Sequence, residues 1–190
     1  MIELAFASCR QIPLTCFVPI SYAEIVLNLA LSLDGLIAGP NGEYDWCFTD
    51  ADYGMTEFMR SVDATIMGGK SYRLLLDYGP PYPQLTNYVI TRTETDAAHP
   101  NIVFVHDNIL SFVEALKKKE GKNLWLFGGA EITHLLMERD LVDVLMLAVH
   151  PIVLGDGIPL FGKFRSRKHF ELIESIRYPS GLVQLIYNKK

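Results

Sequence analysis

The chain has 190 residues, of which 49% are apolar and 21% are charged, and its formal net charge at pH 7 is −5. This length and composition predict one folded domain and exclude a disordered or fibrous chain. The acidic balance argues against a general nucleic-acid-binding protein, although it is compatible with a local basic pocket for a phosphate.

The N-terminal segment 1–23 has neither a basic start nor a long uninterrupted apolar run, so it predicts neither a secretory signal nor a membrane span. We expect it to be an N-terminal extension, and we assign residues 24–190 to the domain. The cysteines form no CxxC pair and have no histidine at ligand spacing, which predicts a reducing, cytoplasmic setting without a metal site or a disulfide framework. They are Cys9, Cys16 and Cys47.

From residue 24 onward, strand-like and helix-like patterns alternate. A β-rich run at 24–31 precedes a stretch of turn formers, and Asp50 is the expected N-cap of a helix. That helix is predicted from apolar residues at i, i+3, i+4 and i+7, which are Met55, Phe58, Met59 and Val62. Further strands are predicted at 64–67, 87–91, 102–105, 124–127, 142–154, 169–178 and 182–188, and further helices from 68, over 108–119 and from 129.

This order of elements predicts an α/β fold. Strands that alternate with helices indicate a mixed, mostly parallel sheet with helices on both faces, and the last two strands indicate an antiparallel C-terminal edge. The sequence contains no internal repeat or linker within this region.

Two strand-to-helix junctions are rich in glycine. Residues 66–72 read IMGGKSY and residues 126–132 read LFGGAEI. In an open α/β sheet such junctions leave free backbone N–H groups at the positive end of a helix, where a phosphate can approach closely. A dinucleotide pyrophosphate would satisfy both, although each glycine pair alone is equally well explained as a tight turn.

A third junction, VITRT at 89–93, ends in Thr91 and Arg92 and carries no acidic residue. An acid at this position would select the ribose hydroxyls of NADH, whereas Arg92 together with Lys70 suits the 2′-phosphate of NADPH. Taken individually, both cations are also explained as solvated surface charges.

Five segments in this order resemble the dihydrofolate reductase-like superfamily, and within it the reductase domain of bacterial riboflavin biosynthesis: SLDGLIAG, ATIMGGKSY, YVITRT, LWLFGGAEI and HPIVLGDGIPLF. The resemblance covers about residues 24–190 and implies a three-layer fold, NADPH as hydride donor and a homodimer. It implies that the cofactor contacts Ala30, Ile37, Gly68, Gly69, Lys70, Ser71, Thr91, Arg92, Gly128, Gly129, Ala130 and Glu131.

The function that this resemblance implies is that of a 5-amino-6-(5-phosphoribosylamino)uracil reductase-like enzyme acting on a small heterocyclic or sugar-imine substrate. Asp52 falls nearest the expected proton donor, and Asp34 lies where it could touch a substrate hydroxyl. Asp52 is equally well explained as a helix-start carboxylate, and Asp34 as part of an Asp-Gly turn. A non-catalytic, dimeric nucleotide-binding module remains the alternative.

Overall fold

Ten strands and four helices form in the part of the chain that the computed structural model describes, residues 22–93 and 99–190. In chain order they are β1 Ile25–Leu31, β2 Leu36–Ala38, α1 Met55–Ser61, β3 Val62–Gly68, α2 Gly69–Leu76, β4 Thr86–Ile90, β5 Ile102–Val105, α3 Ile109–Lys117, β6 Asn123–Gly128, α4 Ala130–Glu138, β7 Val144–Val149, β8 Ile158–Pro159, β9 Phe170–Arg177 and β10 Val183–Lys189. The predicted extension lies outside the described residues, apart from Tyr22 and Ala23.

Eight strands form one sheet in the order β5-β4-β3-β6-β1-β7-β10-β9. The first six are parallel to one another, and β10 and β9 complete the sheet as antiparallel strands. A second, two-stranded sheet pairs β2 with β8. The predicted fold class, a mostly parallel sheet with an antiparallel C-terminal edge, is confirmed.

Successive residues of the central strands point to opposite faces of the sheet, which places a helical layer on each side. Leu27, Ile66 and Leu126 are fully buried on the face covered by α3 and α4. On the other face α1 packs through Phe58 against Trp125, with ring centroids 5.2 Å apart. The predicted helices on both faces are therefore confirmed.

The prediction of Asp50 as the N-cap of α1 is wrong. The N-cap is Gly54, whose φ of 80° is readily adopted by glycine, and the Asp50 carboxylate instead accepts a hydrogen bond from the Tyr53 hydroxyl at 2.7 Å. The predicted helix is also too long, because Val62 already belongs to β3. A single helical turn of apolar spacing cannot distinguish the last turn of a helix from the first residue of a buried strand.

The strand predicted over 142–154 is shorter than expected. It ends at Val149 because His150 folds back, placing its Nδ1 2.9 Å from the carbonyl of Ala148, and Pro151 has no N–H to continue the ladder. The turn directs residues 150–157 across the carboxyl ends of the strands, toward β2.

Candidate functional site

The strand order brings the predicted cofactor residues to one edge of the sheet. Strands β4, β3, β6 and β1 are neighbours and run parallel, so their carboxyl ends lie side by side. The four ends carry Arg92, Gly69, Gly129 and Ala30 at or near their last residues. Residues that are about 100 positions apart in sequence therefore share one ligand-sized edge.

The two glycine-rich junctions are in contact with each other. A Cβ added to Gly129 would lie 3.4 Å from the Oγ of Ser71 and 3.8 Å from the backbone nitrogen of Gly68. Gly128 and Gly129 have φ angles of 119° and 95°, which side-chain-bearing residues rarely adopt, whereas Gly68 has an ordinary φ of −81°. Glycine is therefore required by backbone conformation in β6-α4 and not in β3-α2.

Each of the two junctions is followed by a helix whose first backbone N–H groups are free. Within the described residues, neither α2 nor α4 has a side-chain hydrogen bond to its N-terminal turn, and their N-caps are Gly68 and Gly129. Uncapped helix starts with glycine at the N-cap are suited to hold an anion. This arrangement is what a pyrophosphate-binding edge requires.

Two charged side chains span the junctions. Lys70 Nζ lies 3.6 Å from Glu131 Oε1, and both side chains are almost fully exposed. Such a surface ion pair contributes little to stability. Lys70 is therefore able to exchange Glu131 for a phosphate at small cost.

The remaining predicted cofactor residues lie at the ends of this edge. Thr91 is buried at the end of β4, where His106 Nδ1 lies 3.0 Å from its carbonyl, and Arg92 follows it as an exposed residue. Ala30 is half-buried in β1. Ile37 packs from β2 against the main apolar core.

Asp34 joins the turn after β1 to the loop before β8. Its carboxylate accepts hydrogen bonds from the Ser32 hydroxyl at 2.6 Å and from the backbone N–H groups of Leu154 and Gly155 at 3.2 Å and 2.8 Å. The Ser32 hydroxyl and the Gly155 N–H lower the pKa of Asp34 to about 2. The side chain is thus held ionised and has no proton to donate near neutral pH.

Asp52 is engaged with the first turn of α1. Its carboxylate accepts from the Thr56 hydroxyl at 2.6 Å and from the Thr56 N–H at 3.0 Å. The Thr56 hydroxyl is the main cause that lowers the pKa of Asp52. A proton donor for catalysis needs the opposite shift, so this environment favours the helix-start explanation of Asp52.

The β2-β8 contact fixes the backbone beside Asp34. A Cβ added to Gly157 would lie 2.2 Å from the carbonyl oxygen of Ala38, so only glycine allows this approach. Both glycines therefore shape this loop, since Gly155 also donates its N–H to Asp34.

Sequence reasoning missed one part of the site, a strip on one face of the sheet that is only partly covered. We call it the open strip, and it comprises Asn28, Ala30, Phe127, Met146, Ala148 and Gln184. Strand register places them on one face, because Asn28 pairs with Met146 and Ala148 pairs with both Ala30 and Gln184. Four of the six are only half-buried, whereas Asn28 and Gln184 are 7% and 6% exposed.

A loop lined by aromatic side chains borders the open strip. Phe48 donates its backbone N–H to Nε2 of buried His150 at 3.1 Å, and Trp46 packs edge-on against the same ring. His150 is thus a core residue whose ring nitrogens both have partners. These residues and Cys47 line a cavity of about 380 Å³, where burial raises the pKa of the Cys47 thiol to about 11.

Two further findings concern the described residues only. No group of three or more histidine, cysteine, aspartate or glutamate side chains in them is arranged to hold a metal ion. No helix formed by residues 22–93 and 99–190 combines the length and the apolar character needed to cross a membrane.

Comparisons with known proteins agree with this architecture. The family described as the RibD C-terminal domain matches residues 23–184. The protein YyaP of Bacillus subtilis (strain 168) is 37% identical over 178 residues, an alignment that covers 87% of this chain and 94% of YyaP.

Solved structures share the fold. A protein from Shewanella sp. PV-4, named for riboflavin biosynthesis, superposes with a TM-score of 0.77 at 29% identity, covering 88% of this chain and 99% of that one. Dihydrofolate reductase from Enterococcus faecalis, in complex with NADP(H), gives a TM-score of 0.67 at 15% identity, covering 89% of this chain and 98% of the reductase. The second likeness shows a common fold alone.

Proposed function

Because the chain belongs to the RibD C-terminal domain family, we propose that it is an NADPH-dependent reductase that passes hydride to a small heterocyclic or sugar-imine substrate. The observation that carries this proposal is the contact between two glycine-rich, uncapped helix starts at the carboxyl edge of the sheet. Such an edge supplies backbone donors to a pyrophosphate without any cationic cage.

The residues present fit a dinucleotide. A Cβ at Gly129 would enter the space between the two junctions, which glycine keeps open. We propose that the pyrophosphate is held by backbone groups of the two junctions and by the Ser71 hydroxyl; the junction residues are Gly68, Gly69, Gly128, Gly129 and Ala130. Lys70 and Arg92 would bind the 2′-phosphate. Lys70 would then release Glu131, its ion-pair partner in the absence of cofactor. Ala30 and Ile37 would position the nicotinamide, which supplies the hydride when bound.

The chain's own residues would then act by alignment and exclusion of water. Asp34 ties the turn after β1 to residues 154 and 155, which keeps Ala30 and Ile37 in fixed positions beside the sheet edge. We therefore propose a positioning role for Asp34, and the role of Asp52 as proton donor stays a prediction that its lowered pKa opposes.

The lowered pKa of Asp52 also favours the alternative function, a dimeric module that binds the nucleotide without turnover. The two candidates differ in one respect: the reductase oxidises NADPH when a suitable acceptor is added, and the module does not. Both require the same cofactor edge.

Titration of NADPH, followed by its fluorescence, tests the cofactor edge that both candidates share. Gly129→Val should abolish binding, because its Cβ and branched methyl groups enter the phosphate space and its φ of 95° is unsuited to valine. The matched control is Gly79→Val, which carries comparable backbone strain at a φ of 116° in the loop after α2, with no atom within 4 Å of the new Cβ.

The wild-type protein and Gly79→Val should bind NADPH equally. Equal binding by Gly129→Val would contradict the assignment of the cofactor edge. Binding by the wild type, without oxidation on any pterin or pyrimidine acceptor, would favour the module.

We also propose that the chain is a homodimer that forms through the C-terminal strands. Strand β9 is an eight-residue edge strand, and Leu172 and Ile173 are 51% and 56% exposed on it, which is typical of a surface covered by another chain. Sedimentation velocity should give a two-chain particle for the wild type and a monomer for Ile173→Lys. Glu174→Lys, at the next exposed position, is the control, and a dimeric Ile173→Lys would exclude this interface.

A cytoplasmic location, and the absence of nucleic-acid and membrane partners, remain predictions from composition. Fractionation of cells that produce the protein would test the first of them directly.

A further inference from the structure

The open strip contains a buried polar group that the protein does not satisfy. Asn28 is 7% exposed, yet its side-chain amide has no hydrogen-bond partner among residues 22–93 and 99–190. The indole N–H of Trp125 binds the backbone carbonyl of Asn28 at 3.0 Å and not its side chain. In the described chain, the sealed polar side-chain atoms without a partner are Trp46 Nε1 and His134 Nδ1. The Asn28 amide is not among them, so it is reached from outside.

A second carboxamide lies on the same strip. Gln184 is 6% exposed, and its Oε1 lies 3.4 Å from the Tyr178 hydroxyl, while its amide nitrogen has no partner in the described residues. Asn28 and Gln184 lie on strands separated by β7 and are offset by two residues, which places their Cα atoms about 11–12 Å apart. Met146 and Ala148 of β7 lie between them on the same face of the sheet.

The walls of the strip are formed by known contacts. On one side Gly54, at the start of α1, lies beside Gln184, because a Cβ there would be 3.8 Å from its Oε1. On the other side Tyr82 packs on Phe127 with ring centroids 5.7 Å apart. The Tyr44 and Tyr78 hydroxyl groups meet at 2.6 Å and join the segments that supply the two walls.

These walls carry negative charge. The segment 43–60 contains five acidic residues and one base, Arg60, which pairs with Glu57, and the segment 77–85 contains one acid and no base. The acids are Glu43, Asp45, Asp50, Asp52, Glu57 and Asp77. A phosphate dianion would be repelled from this crevice, whereas a neutral ring is not affected.

We propose that the open strip binds the substrate ring, and that Asn28 selects an uncharged heterocycle with an amide-type donor and acceptor edge over a substrate that carries a phosphate. Asn28 offers both a donor and an acceptor, which a lactam edge complements in full. A site with a buried amide of this kind rejects ligands that leave it without a partner. The inference rests on the proposed reductase function, whose substrate class it narrows.

The experiment compares 5-amino-6-(ribosylamino)uracil with its 5-phosphate ester, by calorimetric binding in the presence of NADP⁺ and by NADPH oxidation. The unphosphorylated compound should bind at least about tenfold more tightly, because the repulsion concerns the phosphate alone. Pterin, followed by its own fluorescence, is the second ring probe.

Asn28→Leu should weaken binding of both rings about tenfold, since one amide–amide contact is lost. The same variant should keep the NADPH affinity of the wild type, and its Tm should be equal or higher because an unsatisfied buried amide is removed. Asn188→Leu, at an exposed position of β10, is the matched control and should change none of these quantities.

Tighter binding of the phosphate ester, unchanged ring affinity of Asn28→Leu, or binding of neither ring would each overturn the inference. If NADPH does not bind but the rings bind through Asn28, the reductase proposal fails and the ring site stands. If NADPH is oxidised only with the phosphate ester, the reductase proposal stands and the ring site fails.

Discussion

Asn87 in β4 and Asn28 in β1 lie on the same face of the sheet, and both are more than nine-tenths buried. Their side chains differ in hydrogen bonding. Asn87 accepts from the Thr65 hydroxyl at 2.8 Å and donates to the carbonyls of Pro81 and Leu85 at 3.0 Å each. The Asn28 amide has no such partner in the described chain.

The difference in hydrogen bonding indicates that the Asn87 side chain stabilises the fold, whereas the Asn28 side chain is available to bind a ligand. A buried amide without a partner is destabilising, and it persists where another molecule supplies the missing hydrogen bonds. By this criterion, the buried polar side chains around β4 have their partners within the protein, whereas those of the open strip find theirs on a bound ring.

Replacement of Asn87 gives the largest expected effect. Asn87→Leu leaves the fully buried Thr65 hydroxyl without its acceptor and should lower the free energy of unfolding by about 1–3 kcal/mol, measured by urea denaturation. Asn28→Leu should leave the free energy of unfolding unchanged or raise it, so only Asn87→Leu should destabilise the protein.

The double variant Thr65→Val with Asn87→Leu is the control, because removal of both partners should restore part of the loss. Equal destabilisation by Asn87→Leu and Asn28→Leu would remove the distinction between the two sites.

The smallest expected effect concerns Asp34, a second satisfied polar group that lies close to the site. Its folded pKa of about 2 is below the ordinary value of 3.8, so its contribution to stability is present above about pH 4 and is lost as the pH falls toward 2. Thermal melts of the wild type and Asp34→Asn should therefore differ most near neutral pH and converge in acid. A difference that stays constant over this range would show that the charge of Asp34 does not hold residues 154 and 155.

Most of the fold could be predicted because its signals are local. Apolar runs between turn formers specify β3, β5 and β6, and a lysine-rich last turn with a following glycine locates the end of α3 to within two residues. The junction at Gly128 and Gly129 was also visible, since adjacent glycines after a strand indicate an unusual backbone, and both have positive φ angles.

The open strip could not be predicted, because its residues come from four strands that are distant from one another in sequence. In the sequence, Asn28 is a single polar residue inside the apolar run IVLNLAL, which alone indicates an ordinary central strand. Only strand register shows that Asn28, Met146 and Gln184 share one face of the sheet. Asp50 failed as a helix cap for a related reason, since the left-handed turn at Gly54 moves the helix start four residues onward.

The close approach at Gly157 has a consequence for protein engineering. Because a Cβ at this position would lie 2.2 Å from the Ala38 carbonyl oxygen, residues 36–39 and 155–159 fit together only as a matched set, although more than 100 positions separate them. A chimera that takes these two segments from different relatives keeps the fit only if both parents have the same backbone there. Recombination designs should therefore exchange the two segments as one block.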